Sequence, residues 1–243
     1  MAGSRHLRIL IPAAGGSQRF RDAGYATPKP WLRLVSGGAN TSMLDLIGEE
    51  ISVLQKHLSG SGVDSDVLVG CPLGYVPPFG VPIQIEKTLG QADTIRQLCA
   101  AGKNDTDMQV LVVNSDVVHP AKMLERLVDR LAVFDMSLLV HTSRDPSLSY
   151  INMFPQPTAY AEKQVISSYG ISGAWGFSSR NNLARILHNI CSSAAAGREV
   201  YLSHVLGEFT PAAAVLTRRS LFVDLGTPAA VADAGFRIAE YQR

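Results

Sequence analysis

The chain has 243 residues, with 22 lysines and arginines against 21 aspartates and glutamates, a formal net charge of +1. Apolar residues make up 46% and charged ones 18%, a balance that argues against a disordered chain, a nucleic-acid-coating protein and a polybasic membrane binder. The length is ample to bury a core without disulfide staples, and the apolar runs fall far short of the roughly 20 residues that a membrane span needs.

Short β-branched runs alternate with amphipathic segments, which predicts an α/β fold whose sheet is covered on both faces. Residues 7–14 (LRILIPAA) form a first strand, followed by a glycine, proline and basic loop from 15 to about 33. Ser42-Met43-Leu44-Asp45 resembles a capping box opening a helix through Leu46, Ile47, Ile51 and Leu54, which stops in the Gly/Ser cluster at 59–62. Strands are expected at 66–69 and 81–85, a helix at 91–99, and a strongly apolar buried strand at 109–113 (QVLVV) that runs into Asn114-Ser115-Asp116. A helix at 123–131 and a strand at 136–141 follow. From Asp145 onward β-type residues and prolines without helical period predict a mixed, partly antiparallel region laid onto the main sheet. Helices at 180–196 and 199–206, strands at 213–216 and 221–223, and a closing helix at 227–241 complete the pattern. No repeat or linker interrupts it, so one domain over 1–243 is expected. The N-terminus runs straight into glycines and charges and does not read as a signal peptide. Cys71, Cys99 and Cys191, an odd count without C-x-x-C spacing, read as reduced thiols of a cytoplasmic protein.

The chemistry concentrates in three places. Pro12-Ala13-Ala14-Gly15-Gly16-Ser17-Gln18-Arg19-Phe20 puts a glycine turn directly after the first strand, where backbone N–H groups can approach a phosphate. The first 33 residues carry five arginines and one lysine against Asp22 alone, a local net of +5 in a near-neutral chain. The string is neither a Rossmann fingerprint nor a P-loop. Asp116 ends a buried strand, where open α/β sheets bind ligands. The third place, Phe222-Val223-Asp224-Leu225-Gly226-Thr227-Pro228, puts a second aspartate before a tight turn and a helix start. Each aspartate alone reads as a helix cap; two that converge could hold Mg²⁺ together with substrate phosphate oxygens.

The front loop resembles the signature of the sugar-1-phosphate nucleotidyltransferases, approximately A-A-G-x-G-[ST]-R-[FLM] followed by P-K-P. The match lies at Ala13, Ala14, Gly15, Arg19, Phe20, Pro28, Lys29, Pro30 and Leu32. It departs at Ser17, where the family has glycine, and at Gln18, where it has a small hydroxyl residue. Glu86-Lys87-Thr88-Leu89-Gly90-Gln91-Ala92 resembles the family's nucleobase and ribose segment. Glu162-Lys163 resembles its E-K pair, and Gly170-Ile171-Ser172-Gly173-Ala174-Trp175 its sugar-pocket strand. The resemblance spans residues 7 to about 232, with no C-terminal β-helix extension expected.

What the resemblance implies is a three-layer, Rossmann-like nucleotidyltransferase fold with a mixed, mostly parallel central sheet and a small antiparallel subregion. The expected reaction joins an NTP and a sugar 1-phosphate, or another small phosphate, to give an NDP-sugar and pyrophosphate with Mg²⁺. Arg19, Lys29, Asp116 and Asp224 would be catalytic, the two aspartates holding the metal. Ala13, Ala14, Gly15, Gly16, Ser17, Gln18, Glu86, Gly90 and Gln91 would bind nucleotide; Asn114, Glu162, Lys163 and Gly173 would bind the sugar phosphate. Neither nucleic acid nor membrane is an expected partner, and a homo-oligomer remains open. Two alternatives stand beside this reading. One is a nucleotide-sugar-dependent glycosyltransferase, which normally wants D-x-D where Asn114-Ser115-Asp116 offers one carboxylate. The other is a non-catalytic nucleotide-sugar-binding protein, which has no need of pyrophosphate-side cations.

Overall fold

The computed structural model describes residues 5–101, 107–153, 159–195 and 198–239. Strand β1 (Arg5–Pro12) holds Leu7, Ile9, Leu10 and Ile11 fully buried. Such a continuous apolar run is stable only where both faces of the strand are covered. The glycine loop leads into the single-turn helix α1 (Gln18–Asp22), a hairpin of β2 (Arg33–Ser36) and β3 (Ala39–Ser42), and the long α2 (Met43–Gly60). Ser42 caps α2 in a full capping box with Asp45. Next come β4 (Val63–Pro72), β5 (Val81–Ile85), α3 (Gln91–Ala100), β6 (Gln109–Val113), β7 (Val117–Val118) and α4 (Ala121–Arg130). The second half adds β8 (Met136–Thr142), β9 (Tyr150–Asn152), β10 (Ala159–Ala161), β11 (Tyr169–Phe177) and α5 (Arg180–Ser193). It closes with β12 (Ala212–Leu216), β13 (Val223–Asp224), α6 (Pro228–Asp233) and β14 (Arg237–Ile238).

The central sheet is mixed and mostly parallel. Strands β6, β1, β4 and β5 run parallel in that order, and β11 joins β6 antiparallel and carries β8, to which β12 adds in parallel. Strands β9 and β10 branch off the first half of β11 as the small antiparallel subregion. On one face α2 and α4 bury Leu44, Ile47, Ile51, Leu124 and Leu127 against Ile9, Ile11 and Leu111. On the other, α3 and α5 bury Ile95, Leu98, Leu183 and Leu187 against Leu10, Val110 and Val112. A third, smaller core gathers Phe20, Leu34, Met43, Leu225 and Val231 beneath the separate sheet β14-β2-β3. It ties the front loop to the C-terminal elements.

Several expectations need correction. The closing helix over 227–241 is only α6, because the chain reverses at Gly235 (φ 80°) and returns as β14 against β2; 240 and 241 lie outside the described residues. The helix over 199–206 begins only at Leu202, as a 3₁₀ helix over Leu202–Glu208, with Tyr201 before it extended. Residues 33–42, assigned to no element, form the β2–β3 hairpin about Gly37 and Gly38, both with positive φ. Of the helix over 180–196, the part to Ser193 is α5, and 196 lies outside the described residues.

Candidate active site

The carboxyl ends of β1 and β6 open into a cleft of about 1070 Å³, the position where α/β sheets bind ligands. At its front end Ala13 is pinned by its N–H to Gly70 O, and Ser115 Oγ donates to Pro12 O. Gly15 and Gly16 then cross the cleft mouth. Ser17, standing where the resemblance has a glycine, takes the left-handed conformation (φ 52°, ψ 34°), which a non-glycine residue adopts only where the surroundings enforce it. Its carbonyl starts α1 by accepting from Phe20 and Arg21, and its Oγ accepts from Lys29 N–H at 2.9 Å. The hydroxyl thus locks the glycine loop to the Pro28-Lys29-Pro30 turn. Gln18 reaches the cleft edge but spends its amide on Asp22 and Arg21.

Lys29 Nζ donates to Asp116 Oδ2 at 2.6 Å. Burial pushes the Asp116 carboxyl up, but the charge and hydrogen bond of Lys29 override it and hold the group below its ordinary range. Asp224 comes to the same place because β13 pairs antiparallel with β7, placing Asp224 opposite Val117, and because Leu225 N–H donates to Asp116 O. Between them sits Gly226, whose missing Cβ would lie 3.1 Å from Asp224 Oδ1 and 3.4 Å from Asp116 Oδ2. A side chain there would fill the space between the carboxylates. Among the described residues no set of three or more His, Cys, Asp or Glu is arranged to hold a metal. Two carboxylates facing an open cleft suit a hard cation that takes its remaining ligands from phosphate and water.

At the far end Glu162 accepts hydrogen bonds from Ser149 and Ser203, while Lys163, at φ 52°, extends its ammonium to Tyr201 OH. Asn114 accepts from Gln91 Nε2, and Leu202 N–H donates to Gln91 Oε1. A Cβ on Gly173 would come within 2.9 Å of Asn114 Nδ2, so the strand passes that amide only as glycine. Gly90 also borders the cleft. Two expected residues do not line it: Ala14 is half-buried between Ala13 and Gly15, which do, and Glu86 is exposed on a separate small hollow beside Lys87 and Asp93.

The structure adds residues that sequence reasoning did not single out. His119 and His141 pack on Phe222 with centroids at 5.3 and 5.0 Å, and Arg219 lies over the same ring and 4.0 Å from Asp224. His119 donates from Nε2 to Ser172 O, and burial pulls its imidazole down to about 4. Nδ1 of both histidines and Nε1 of Trp175 are buried and find no hydrogen-bond partner among the described residues. Tyr201 and Ser203 carry no local signal, because the anchoring of Val200 and the start of the 3₁₀ helix at Leu202 bring them to Lys163 and Glu162.

No protein-family model matches the chain, and no curated protein does. Solved structures match along nearly the whole length. A nucleoside-diphosphate-sugar pyrophosphorylase from Vibrio cholerae RC9 is 19% identical with a TM-score of 0.71, covering 93% of this chain and 98% of that one. A putative glucose-1-phosphate thymidylyltransferase from Bacillus anthracis is 17% identical with a TM-score of 0.66, covering 94% of each. The inositol-1-phosphate CTP transferase from T. maritima is 15% identical with a TM-score of 0.62, covering 95% and 93%. The chain therefore has the fold of the sugar-phosphate nucleotidyltransferases.

Proposed function

We propose that the protein is a Mg²⁺-dependent nucleotidyltransferase that transfers the nucleotidyl group of an NTP to a sugar 1-phosphate or similar small phosphate and releases pyrophosphate. The observation that carries this reading is the gathering of Lys29, Asp116 and Asp224 at one end of a single cleft and Glu162 and Lys163 at the other. Its fold neighbours include a protein described as a nucleoside-diphosphate-sugar pyrophosphorylase and one described as an inositol-1-phosphate CTP transferase.

An oxygen of the acceptor phosphate attacks the α-phosphorus in line. The new P–O bond forms as the bond to the β-phosphate oxygen breaks, and the electron pair leaves with pyrophosphate. Such chemistry depends on positioning and charge neutralisation. The amides of Gly15 to Ser17, with Arg19, would hold the β and γ phosphates and the departing pyrophosphate. Lys29 would turn from Asp116 to the α-phosphate, and Lys163 would hold the acceptor phosphate. Gly90 and Gln91 would border the nucleoside, with Asn114, Glu162 and Gly173 at the acceptor. Asp116 and Asp224 would bind Mg²⁺, which supplies charge neutralisation of the triphosphate. No protein base is needed, because a phosphate monoester with a second pKa near 6 is already ionised at neutral pH.

The test is pyrophosphate release with a panel of NTPs and sugar 1-phosphates, comparing wild type with Lys29→Met and Asp224→Asn. Losses of about 10²-fold or more in each variant are expected for groups that meet transition-state charge. Full pyrophosphate release by Lys29→Met would overturn the assignment.

A further inference from the structure

Glu162 and Lys163 are neighbours in sequence, and both are held by one short stretch, residues 199–203, which passes from extended backbone at Tyr201 into the 3₁₀ helix that begins at Leu202. Ser203, buried at 2%, donates to Glu162, and Tyr201, two residues earlier, meets Lys163. The segment is itself fixed to residues 89–92 at the start of α3. Val200 N–H donates to Leu89 O at 2.8 Å and Val200 O accepts from Ala92 N–H at 3.0 Å, while Val200 is almost wholly buried. Tyr201 therefore stands on an anchored backbone.

The contact has an ordered chemistry. Lys163 Nζ donates to Tyr201 OH at 2.5 Å and lies 4.2 Å from the ring centroid. The phenol in turn donates to the Glu199 carboxylate. An ammonium has three donors and the phenol accepts one, so two remain for an anion. Phenol polarised by a carboxylate is a stronger acceptor than phenol alone. Because the neutral hydroxyl stands between Lys163 and Glu199, the lysine is oriented without being neutralised by a direct ion pair.

The geometry points to Tyr201 as a positioning residue that, backed by Glu199, holds the Lys163 ammonium ready for the acceptor phosphate. This rests on the nucleotidyltransferase reading. Without the hydroxyl, Lys163 would have to be ordered as the acceptor binds. Fixing a free lysine side chain carries an entropic cost that corresponds to about a tenfold loss in acceptor affinity.

The experiment is steady-state kinetics of wild type, Tyr201→Phe, Lys163→Met and the double variant, on whichever NTP and sugar 1-phosphate the wild type turns over fastest. The expected result for Tyr201→Phe is an acceptor KM raised about tenfold, with the NTP KM within twofold and an unchanged melting temperature. In the Lys163→Met background the same substitution should have no further effect on kcat/KM for the acceptor. Unchanged acceptor KM, parallel changes in both KM values, or an undiminished effect in the Lys163→Met background would each overturn the inference while leaving the reaction assigned. A wild type that releases no pyrophosphate from any pair would overturn the reading and the inference with it.

Discussion

Replacing Gly90 by alanine perturbs the join between residues 199–201 and the start of α3. Gly90 adopts φ 125°, ψ −167°, a region essentially reserved for glycine and costing other residues about 1–3 kcal/mol. The added Cβ would also lie 2.7 Å from Glu199 Cγ, 2.8 Å from Val200 O and 3.0 Å from Val200 N. The glutamate can swing aside, but the other two atoms are backbone. Relieving them strains the hydrogen bonds from Val200 to Leu89 and from Ala92 to Val200, each contributing about 0.5–1.5 kcal/mol. The expected destabilisation is therefore about 2–6 kcal/mol, and 3 kcal/mol would lower Tm by roughly 6–12 °C in a chain of this size. Urea and thermal unfolding measure it, with Gly15→Ala as control: a Cβ there meets nothing within 4 Å, so its stability should change by less than about 1 kcal/mol. Folded Gly90→Ala should also show a raised acceptor KM, since Tyr201 moves with Val200. Stability within about 1 kcal/mol of wild type together with unchanged KM values would refute the reasoning.

Three further outcomes are expected. His119 is buried with its imidazole lowered from 6.5 to about 4, so the unfolded chain binds the extra proton between those values. Stability should fall as pH drops from about 6.5 to about 4, by up to about 3 kcal/mol, and urea unfolding of His119→Gln should lack that part of the slope. Burial raises the Asp66 carboxyl, but hydrogen bonds from Arg8 and His6 outweigh it and hold it below 3.8. The stability it confers is present above the ordinary carboxylate pKa and lost as pH falls through the lowered one. Asp66→Asn should flatten the acid limb and lower stability at pH 7, because Arg8, 4% exposed, keeps its charge without the carboxylate. Cys71, Cys99 and Cys191 are buried, and burial pushes the first two thiols up to about 12. Mass spectrometry after iodoacetamide treatment at pH 8 should find all three unmodified in native protein and all alkylated in denaturant.

The sequence was most readable where local chemistry and tertiary role agree. QVLVV had to be a buried strand, and the aspartate at its end had to face the crevice; the capping box at Ser42 fixed the start of α2. It was least readable where distant contacts decide. Phe236 and Ile238 continue an apolar pattern after α6, but Gly235 reverses the chain and the third core holds them beside Leu34, making a strand of what periodicity reads as helix. Residues 199–203 have the composition of a helix, yet helix begins only at Leu202, because Leu89 and Ala92 take up the backbone of Val200. Tyr201 and Ser203 were hidden for that reason. The meeting of Asp116 and Asp224 depends on the two-residue pairing of β13 with β7, which no local spacing announces. Ser17 shows the reverse: a departure from a glycine pattern whose left-handed backbone the surrounding loop enforces.

The central claim is the joining of a nucleotidyl group to a phosphate, and the most direct measurement is transfer of label from α-³²P-labelled NTPs to a panel of sugar 1-phosphates in the presence of Mg²⁺. The account predicts labelled NDP-sugar formed together with an equal amount of pyrophosphate for at least one pair, and none when the acceptor is left out. Label that reaches no acceptor from any of the NTPs, with nucleotide sugars consumed instead, would contradict it.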